Sequence, residues 1–426
     1  MDSLTYYYWT VAITFVYFAF LMAQSRFRLI LPSVVHTFAW LITSLLVICQ
    51  LKGALVTNHL TDNAVDKVSV FTCYIVIASI IGFSCAHFVM EKYEFSKEAV
   101  VIDATYIESL LSRFKWVPYT CGAVGLLLFI FLITTIGKWE TFSDYRVLAL
   151  QTERVGYAAI AQRISGHISI LGGFYLMLLG YKYGQKGIDI KGFLFCALLC
   201  STINISIGGR VWILTSTLPF ITTFVFSRFF LPQRYEQNTA NDIKSILAIS
   251  AIFIILFSVI GMMRTIGDKG NMINKFLYLT DGTRMTNMVM NTFPEGTFPN
   301  EHGTSTLLGG LIQSPMVSRF AHSISSDIGL SVTVKSIMPN LYYDFGIVGG
   351  AIFYGLICFF FEMFCIRLKY SSDIIALLTF GTISTILFNV PVGNVFSINT
   401  PTFEWIILLL IFRKYIFRET EIVENN

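Results

Sequence analysis

The stretch GFLFCALLCSTINISIGGRVWILTSTLPFITTFVFS, residues 192–227, decides the class of this protein, because it holds one charged residue, Arg210, in 36 positions. A membrane-spanning helix needs about 20 apolar residues, so this run is too long for one span and suits two. Gly208 and Gly209 supply a flexible turn directly before the arginine. We therefore place Arg210 at the start of the second span, at a membrane interface rather than at the membrane centre.

The rest of the chain is equally apolar: 55% of its 426 residues are hydrophobic and 13% are charged, whereas about 25% of a soluble domain is charged. We predict an all-α, polytopic integral membrane protein that forms a single transmembrane domain over residues 1–426. Apolar runs of spanning length predict eleven transmembrane helices. They lie at residues 6–24, 29–51, 69–90, 117–136, 164–182, 192–209, 211–228, 245–263, 343–366, 373–390 and 399–416.

The distribution of Lys and Arg predicts the orientation of these spans, because inner loops carry an excess of basic residues. With the N-terminus outside and the C-terminus inside, 17 of the 30 basic residues fall on the inner side. Two outer loops then stand out, a first loop at residues 137–163 and a second, much longer one at 264–342. In the second we expect short helices at the membrane surface, and in the inner segment 91–116 an interfacial helix.

Several classes of function have no support in the sequence. It has no P-loop, no dinucleotide-binding glycine pattern, no nucleophile elbow and no zinc-binding His or Cys motif. We expect no metal, no cofactor and no nucleic-acid partner. Since nucleotide-activated donors are absent outside the membrane, chemistry at the outer face would draw its energy from a lipid-anchored substrate.

The first outer loop carries more positive charge than an outer loop normally does. Its three arginines are Arg146, Arg154 and Arg163. They fit either an interfacial amphipathic helix with solvated charges or a site for a phosphate-bearing substrate. Spacings of 8 and 9 spread the three around a helix axis, so their convergence would need a bend.

The long outer loop combines cations with groups that can accept a proton. Its arginines could stabilise a departing phosphate, and its acids and histidines could activate a hydroxyl. These residues are Arg264, Arg284 and Arg319, with Glu301, His302, His322 and Asp327 as candidate bases. Any one of them taken alone is more often a solvated loop residue, and the sequence does not rank the bases.

Three ionisable residues are predicted at the same outer level of the membrane as this loop. Arg210 opens the seventh span, Asp344 opens the ninth, and Glu404 lies about a turn inside the eleventh. Charged groups within spans are costly and commonly functional. Arg210 either extends to lipid headgroups, forms a structural ion pair with Asp344 or Glu404, or binds an anionic substrate. Glu362, near the inner end of its span, is predicted to be an interfacial group.

The order of spans and loops, together with two short motifs, resembles the bacterial O-antigen (oligosaccharide repeat-unit) polymerases. The motifs are GGR at 208–210 and NLYYDFG at 340–346, which enters a glycine-rich span after the large loop. The resemblance implies a fold similar to the metal-independent branch of the GT-C glycosyltransferases. It also implies an inner (cytoplasmic) membrane location with both large loops in the periplasm.

The resemblance further implies a reaction. Such enzymes transfer a growing glycan from undecaprenyl pyrophosphate to the non-reducing end of another lipid-linked repeat unit during lipopolysaccharide synthesis, with a chain-length regulator as a partner. Arginines of both loops would bind the anionic substrates, here Arg146, Arg154 or Arg163 and Arg284 or Arg319, although no arginine-to-glycine spacing repeats in both loops. The catalytic candidates are Arg210, Glu301, His302 and Asp327.

Further substrate-binding candidates are Arg264, Asp344, Glu404 and Tyr342. Aromatic residues such as Tyr342 suit sugar stacking and equally an interfacial aromatic belt. Two other functions stay open. An O-antigen ligase would transfer finished glycan to a lipid A core, and a flippase or other transporter would move the lipid-linked oligosaccharide. Transporters usually show internal repeats and short loops, which this sequence lacks.

Overall fold

The computed structural model of the protein describes nine segments and a few isolated residues. The segments are 2–24, 32–53, 65–94, 102–136, 156–206, 211–231, 280–293, 337–368 and 373–389, with residues 244, 247, 248, 251 and 410 in addition. Throughout these residues the regular secondary structure is helical, without a strand. The predicted all-α class is thereby confirmed for the part of the chain that the structure describes.

Eleven α-helices are found in these segments. They are α1 Ser3–Gln24, α2 Pro32–Leu51, α3 Val65–Glu94, α4 Ala104–Arg113, α5 Trp116–Ile136, α6 Gly156–Lys186, α7 Ile190–Ser206, α8 Val211–Val225, α9 Asp281–Thr292, α10 Ile337–Leu368 and α11 Ile374–Asn389. Helix α8 continues into one π-helical turn at Phe226–Phe230. Residues 207–210 lie outside the described segments, between α7 and α8.

Six stretches of the described helices are long and apolar enough to cross a membrane. They are Ser3–Leu21, Pro32–Leu51, Val65–Met90, Thr105–Thr135, Ile164–Lys186 and Ile337–Leu368. Each of the six overlaps a predicted span. The predicted spans 192–209, 211–228 and 373–390 coincide with the shorter helices α7, α8 and α11, and the spans predicted at 245–263 and 399–416 fall outside the described segments.

The closest helix pair, α3 and α10, packs through small residues. A Cβ atom added to Gly82 would lie 2.2 Å from the carbonyl oxygen of Gly355, and one added to Gly355 would lie 2.7 Å from that of Ala78. Apolar side chains gain little from association within lipid, so close backbone packing supplies much of the contact energy between spans. Farther along, Phe71 of α3 contacts Tyr342 of α10. The two helices are therefore parallel.

Glycines mediate two further parallel helix pairs. Gly180 and Gly184 of α6 pack against the backbone of α8 and its π-helical extension, and Gly122 and Gly125 of α5 pack against α7. A Cβ atom on Gly125 would lie 2.6 Å from the backbone of α7. In each pair the helices have the same predicted direction across the membrane, so these contacts agree with the predicted order of spans.

The segment predicted to hold an interfacial helix contains α4. Ile107, Leu110 and Leu111 form its buried face, and the Asp103 side chain caps its first turn by accepting a hydrogen bond from the Thr105 N–H. Helix α4 is fixed to α6, because the Ile102 N–H donates to the Tyr181 hydroxyl at 2.9 Å. A short amphipathic helix therefore precedes α5, and its place at the membrane interface stays a prediction.

Candidate functional site

Three of the predicted site residues lie in the described segments with their side chains: Arg284, Tyr342 and Asp344. All three lie on α9 or α10, which pack against each other. Arg163 lies on α6, whose first residue is Gly156, so its backbone is helical rather than part of a loop that extends to residue 163. The other predicted site residues lie outside the described segments: Arg146, Arg154, Arg210, Arg264, Glu301, His302, Arg319, His322, Asp327 and Glu404.

Two described parts belong to the long loop predicted at 264–342: α9, and residues 337–342, which are the helical start of α10 rather than loop. Helix α9 packs against α3 and α10. Its sequence, DGTRMTNMVMNT, begins with polar residues and places several of them in the interior. Arg284 is 6% exposed and Asn287 is fully buried, as are the apolar residues Val289 and Met290. A helix near Met285–Met290 is thereby confirmed, and its position at the membrane surface stays a prediction. It is buried on both its polar and its apolar sides.

Helix α10 is broken close to its beginning, within the NLYYDFG motif. Gly346 has φ of 71° and ψ of −169°, a conformation that is essentially restricted to glycine. Residues 337–345 therefore form a short helical piece before the long span that follows. Gly350 allows this piece to fold closely against the span, since a Cβ atom there would lie 3.1 Å from the Leu341 carbonyl oxygen.

Asp344 lies two residues before this break and is fully buried. It precedes the first turn of the long helical part, where unpaired backbone N–H groups favour a negative charge. Irregular backbone at membrane depth is tolerated where it is buried in protein or lines a cavity. The break, the buried carboxylate and the buried Arg284 on the neighbouring helix together make this end of α10 the candidate functional site, which we call the Asp344 end.

Aromatic residues join α9 to the short piece of α10. The Tyr342 hydroxyl donates to the Phe293 carbonyl oxygen at 2.6 Å, and the ring of Phe293 packs edge-on against Tyr343 with centroids 5.5 Å apart. Tyr342 is 1% exposed. Its ring is thus part of the packing that holds α9 in place, and it offers no exposed face for a sugar in this structure.

The other end of α10 holds a buried polar cluster that the sequence reading missed. Glu362 is fully buried. Its carboxylate accepts the Ser33 N–H at 3.0 Å, the Ser33 hydroxyl at 2.7 Å and His87 Nε2 at 2.8 Å. Glu362 is therefore a hydrogen-bonded group inside the helix bundle, and its predicted place at the inner membrane interface stays a prediction. We call this region the Glu362 end.

The geometry explains why a carboxylate is stable there. Ser33 lies in the first turn of α2, where N–H groups are unpaired within the helix and the dipole is positive. His87 of α3 is 28% exposed and adds a third donor. The signal available in the sequence was the presence of an acid inside a span, which calls for a named partner.

A second polar contact joins α2 and α10, between the Glu362 end and the Asp344 end. Tyr354 and His36 are joined at 2.7 Å between the tyrosine hydroxyl and Nε2, and the indole N–H of Trp40 donates to the same nitrogen at 3.0 Å. All three side chains are buried. Since Trp40 is a donor, Nε2 is the acceptor and the imidazole is neutral with its proton on Nδ1.

Among the described residues, no three His, Cys, Asp or Glu side chains lie close enough together to hold a metal ion. What the Asp344 end offers is a buried guanidinium, a buried carboxylate and several amide and hydroxyl groups. A guanidinium group can bind phosphate through two parallel hydrogen bonds (bidentate binding), and a carboxylate can accept a proton from a hydroxyl.

Comparison with known proteins gives no identification, because the chain matches no family model, no curated protein and no solved structure.

Proposed function

We propose that this protein is an O-antigen polymerase, a glycosyltransferase of the inner membrane with GT-C-like architecture and about eleven spans. In this proposal it transfers the growing glycan from undecaprenyl pyrophosphate to the non-reducing end of another lipid-linked repeat unit, at the periplasmic face. The observation that carries the proposal is Arg284, a buried cation on a polar helix that packs beside the broken start of α10.

The chemistry of the proposed reaction explains why such a cation is needed. Cleavage of a sugar–diphosphate bond develops negative charge on the leaving group, and fixed cations stabilise it best where water is excluded. Arg284 would contact the diphosphate, and Asp344 would bind or deprotonate the acceptor hydroxyl. Arg210 and the candidate bases Glu301, His302 and Asp327 belong to the same proposal through the resemblance.

A strain that lacks the gene tests the function. The proposal predicts lipopolysaccharide capped with a single repeat unit, restored to long chains by the wild-type gene. Loss of all O-antigen from the core would indicate a ligase instead. Long chains that persist without the gene would exclude the proposal.

Substitution of Arg284, the residue on which the proposal depends, is the second test. Arg284→Lys retains the charge but loses the bidentate hydrogen bonding of a guanidinium group. We expect the O-antigen glycan to shorten to one or a few repeat units, while the protein remains in the membrane. Arg113→Gln, on the exposed side of α4, is the matched control and should leave chain length unchanged. Normal chain length in Arg284→Lys would remove this residue from the site.

A lipid-linked oligosaccharide transporter is the second candidate, and the Glu362–His87 pair favours it. Ionisable residues that pair inside a membrane bundle are frequent along the transport pathways of pumps and transporters. In this case the deletion strain would accumulate lipid-linked repeat units on the cytoplasmic side, and Glu362→Gln would reproduce that accumulation.

A further inference from the structure

Two lysines at the predicted inner end of α6 share one carboxylate. Lys182 and Lys186 lie one helical turn apart, and their ammonium nitrogens lie 3.2 and 2.9 Å from Oε1 of Glu108 on α4. Both lysine side chains are partly exposed. Because one carboxylate faces two ammonium groups, the three side chains together keep an excess of positive charge. We call them the lysine cluster.

The turn of α6 that carries the lysines is fixed from its other side. Tyr181 and Gln185, each one position before a lysine, are buried. The Tyr181 hydroxyl accepts the Ile102 N–H at 2.9 Å, and the Gln185 side-chain amide donates to the Ser227 carbonyl oxygen at 2.8 Å. The segment before α4 and the π-helical end of α8 thus hold this backbone in place, so a ligand of the lysines would not have to order it.

Charged residues close to the cluster in sequence favour an anion as well. Lys115 after α4 and Lys191 at the start of α7 are both exposed. The two aspartates of these segments are engaged at helix starts, where Asp103 caps α4 and Asp189 accepts the Gly192 N–H of α7 at 3.1 Å. Their charges are therefore used by the helix ends that they cap.

Exposed aromatic residues indicate that this end of the bundle lies at a membrane interface. Trp116 and Tyr119 at the start of α5 are 49% and 61% exposed, and Phe195 of α7 is 51% exposed. The rings of Tyr119 and Phe195 pack edge-on with centroids 6.1 Å apart. Since Trp and Tyr are enriched at the level of the lipid headgroups, we expect the lysine cluster to lie at the level of the lipid phosphates.

We propose that Lys182 and Lys186 bind the phosphate group of an anionic phospholipid in the inner leaflet, with its acyl chains against the exposed apolar face of α5 and α7. Lysine binds phosphate as a point charge, and basic sites between spans on the cytoplasmic side bind anionic headgroups. Glu108 competes with the phosphate for the same two ammonium groups and limits the affinity. The site is independent of the reaction proposed for the outer side.

The test uses the purified, full-length protein in nonionic detergent micelles. Thermal unfolding is followed during titration with phosphatidylglycerol, with the zwitterionic phosphatidylcholine or with inorganic phosphate, and affinity is taken from the concentration dependence of the shift. The variants are Lys182→Gln, Lys186→Gln and Glu108→Gln. Lys52→Gln is the matched control, because Lys52 is an exposed lysine just after α2, at the opposite end of the bundle.

We expect phosphatidylglycerol to stabilise the wild type more than phosphatidylcholine does. Each of the two lysine substitutions should weaken phosphatidylglycerol binding about fivefold. Glu108→Gln should strengthen binding about as much, because it removes the competing anion. If the cluster only joins α4 to α6, the three variants would instead lower the unfolding temperature alike, with the same response to every lipid.

Three results would overturn the site. The first is unchanged phosphatidylglycerol affinity in both lysine variants, and the second is weaker binding in Glu108→Gln. The third is equal stabilisation by inorganic phosphate, which would show that the acyl chains contribute nothing. Lys52→Gln should bind phosphatidylglycerol like the wild type, and a fivefold loss there would assign the effect to overall charge instead of this cluster. The deletion strain tests the polymerase separately, so either proposal can fail without the other.

Discussion

The two ends of α10 differ in how they treat buried polar groups. At the Glu362 end the carboxylate has three donors from α2 and α3, and the helix is regular. At the Asp344 end the helix is broken at Gly346, and a polar helix packs beside it.

We interpret the Glu362 end as a structural contact between helices and the Asp344 end as the candidate functional site. A buried charge whose hydrogen-bonding capacity is satisfied joins helices in one arrangement, and removal of one partner is strongly destabilising. Irregular backbone and incompletely satisfied polar groups cost stability, and proteins retain them where a ligand has to be bound. Changes at the Glu362 end should therefore act on stability, and changes at the Asp344 end should act on activity more than on stability.

The largest loss of stability is expected for Glu362→Gln. The amide removes the charge that faces the first turn of α2 and His87, which should lower the free energy of unfolding by about 3 kcal/mol. Equilibrium unfolding in mixed detergent micelles measures it. Glu108→Gln is the control, since Glu108 pairs with Lys182 and Lys186 at 3.2 and 2.9 Å in a half-exposed position, where a pair contributes below about 1 kcal/mol. Equal losses in the two variants would contradict the comparison.

A smaller loss of stability, with a larger loss of activity, is expected for Gly346→Ala. The added Cβ is incompatible with the backbone conformation of Gly346, at a cost of about 2 kcal/mol, and the residues before the break should move. Under the proposed function, we expect the O-antigen glycan to shorten to the single repeat unit of the deletion strain, while the protein still inserts into the membrane.

Gly173→Ala is the matched control for this change. An added Cβ at Gly173 would meet no atom within 4 Å, and within a helix the substitution should raise stability by about 0.5 kcal/mol. Unchanged polymer length in Gly346→Ala would mean that the break has no part in the function.

The smallest effect on stability is expected for Tyr342→Phe. It removes the hydrogen bond from Tyr342 to the Phe293 carbonyl oxygen, a loss of about 1 kcal/mol. Hydrogen exchange of the α9 amides should increase, because this bond holds the end of α9 against α10. Tyr119→Phe, at an exposed position on α5, should alter neither quantity. Unchanged exchange in α9 would show that the aromatic contacts alone fix this helix.

The sequence predicts those features that depend on composition and span length. Apolar runs locate the helices because a bilayer core requires spans of about 20 residues. The NLYYDFG motif lies at the start of α10. The helical break follows from the backbone angles of Gly346, which a glycine permits without requiring.

The contacts that the sequence does not predict join residues that are distant along the chain. Glu362 is hydrogen-bonded to Ser33, which lies 329 positions away in the sequence, and to His87, which lies 275 positions away. No local sequence pattern connects these residues. Likewise, the sequence predicts a short helix around Met285–Met290, but its contacts with α3 and α10 are visible only in the structure. Periodicity indicates that a helix is present, and tertiary packing decides which of its sides are covered.

The Glu362 cluster also has a consequence for the order in which the protein assembles. The donors to this carboxylate come from α2 and α3, which leave the ribosome long before α10. A span with an unsatisfied carboxylate enters lipid at a substantial cost. We therefore expect α2 and α3 to assemble before α10, which inserts stably once Ser33 and His87 can bind its carboxylate.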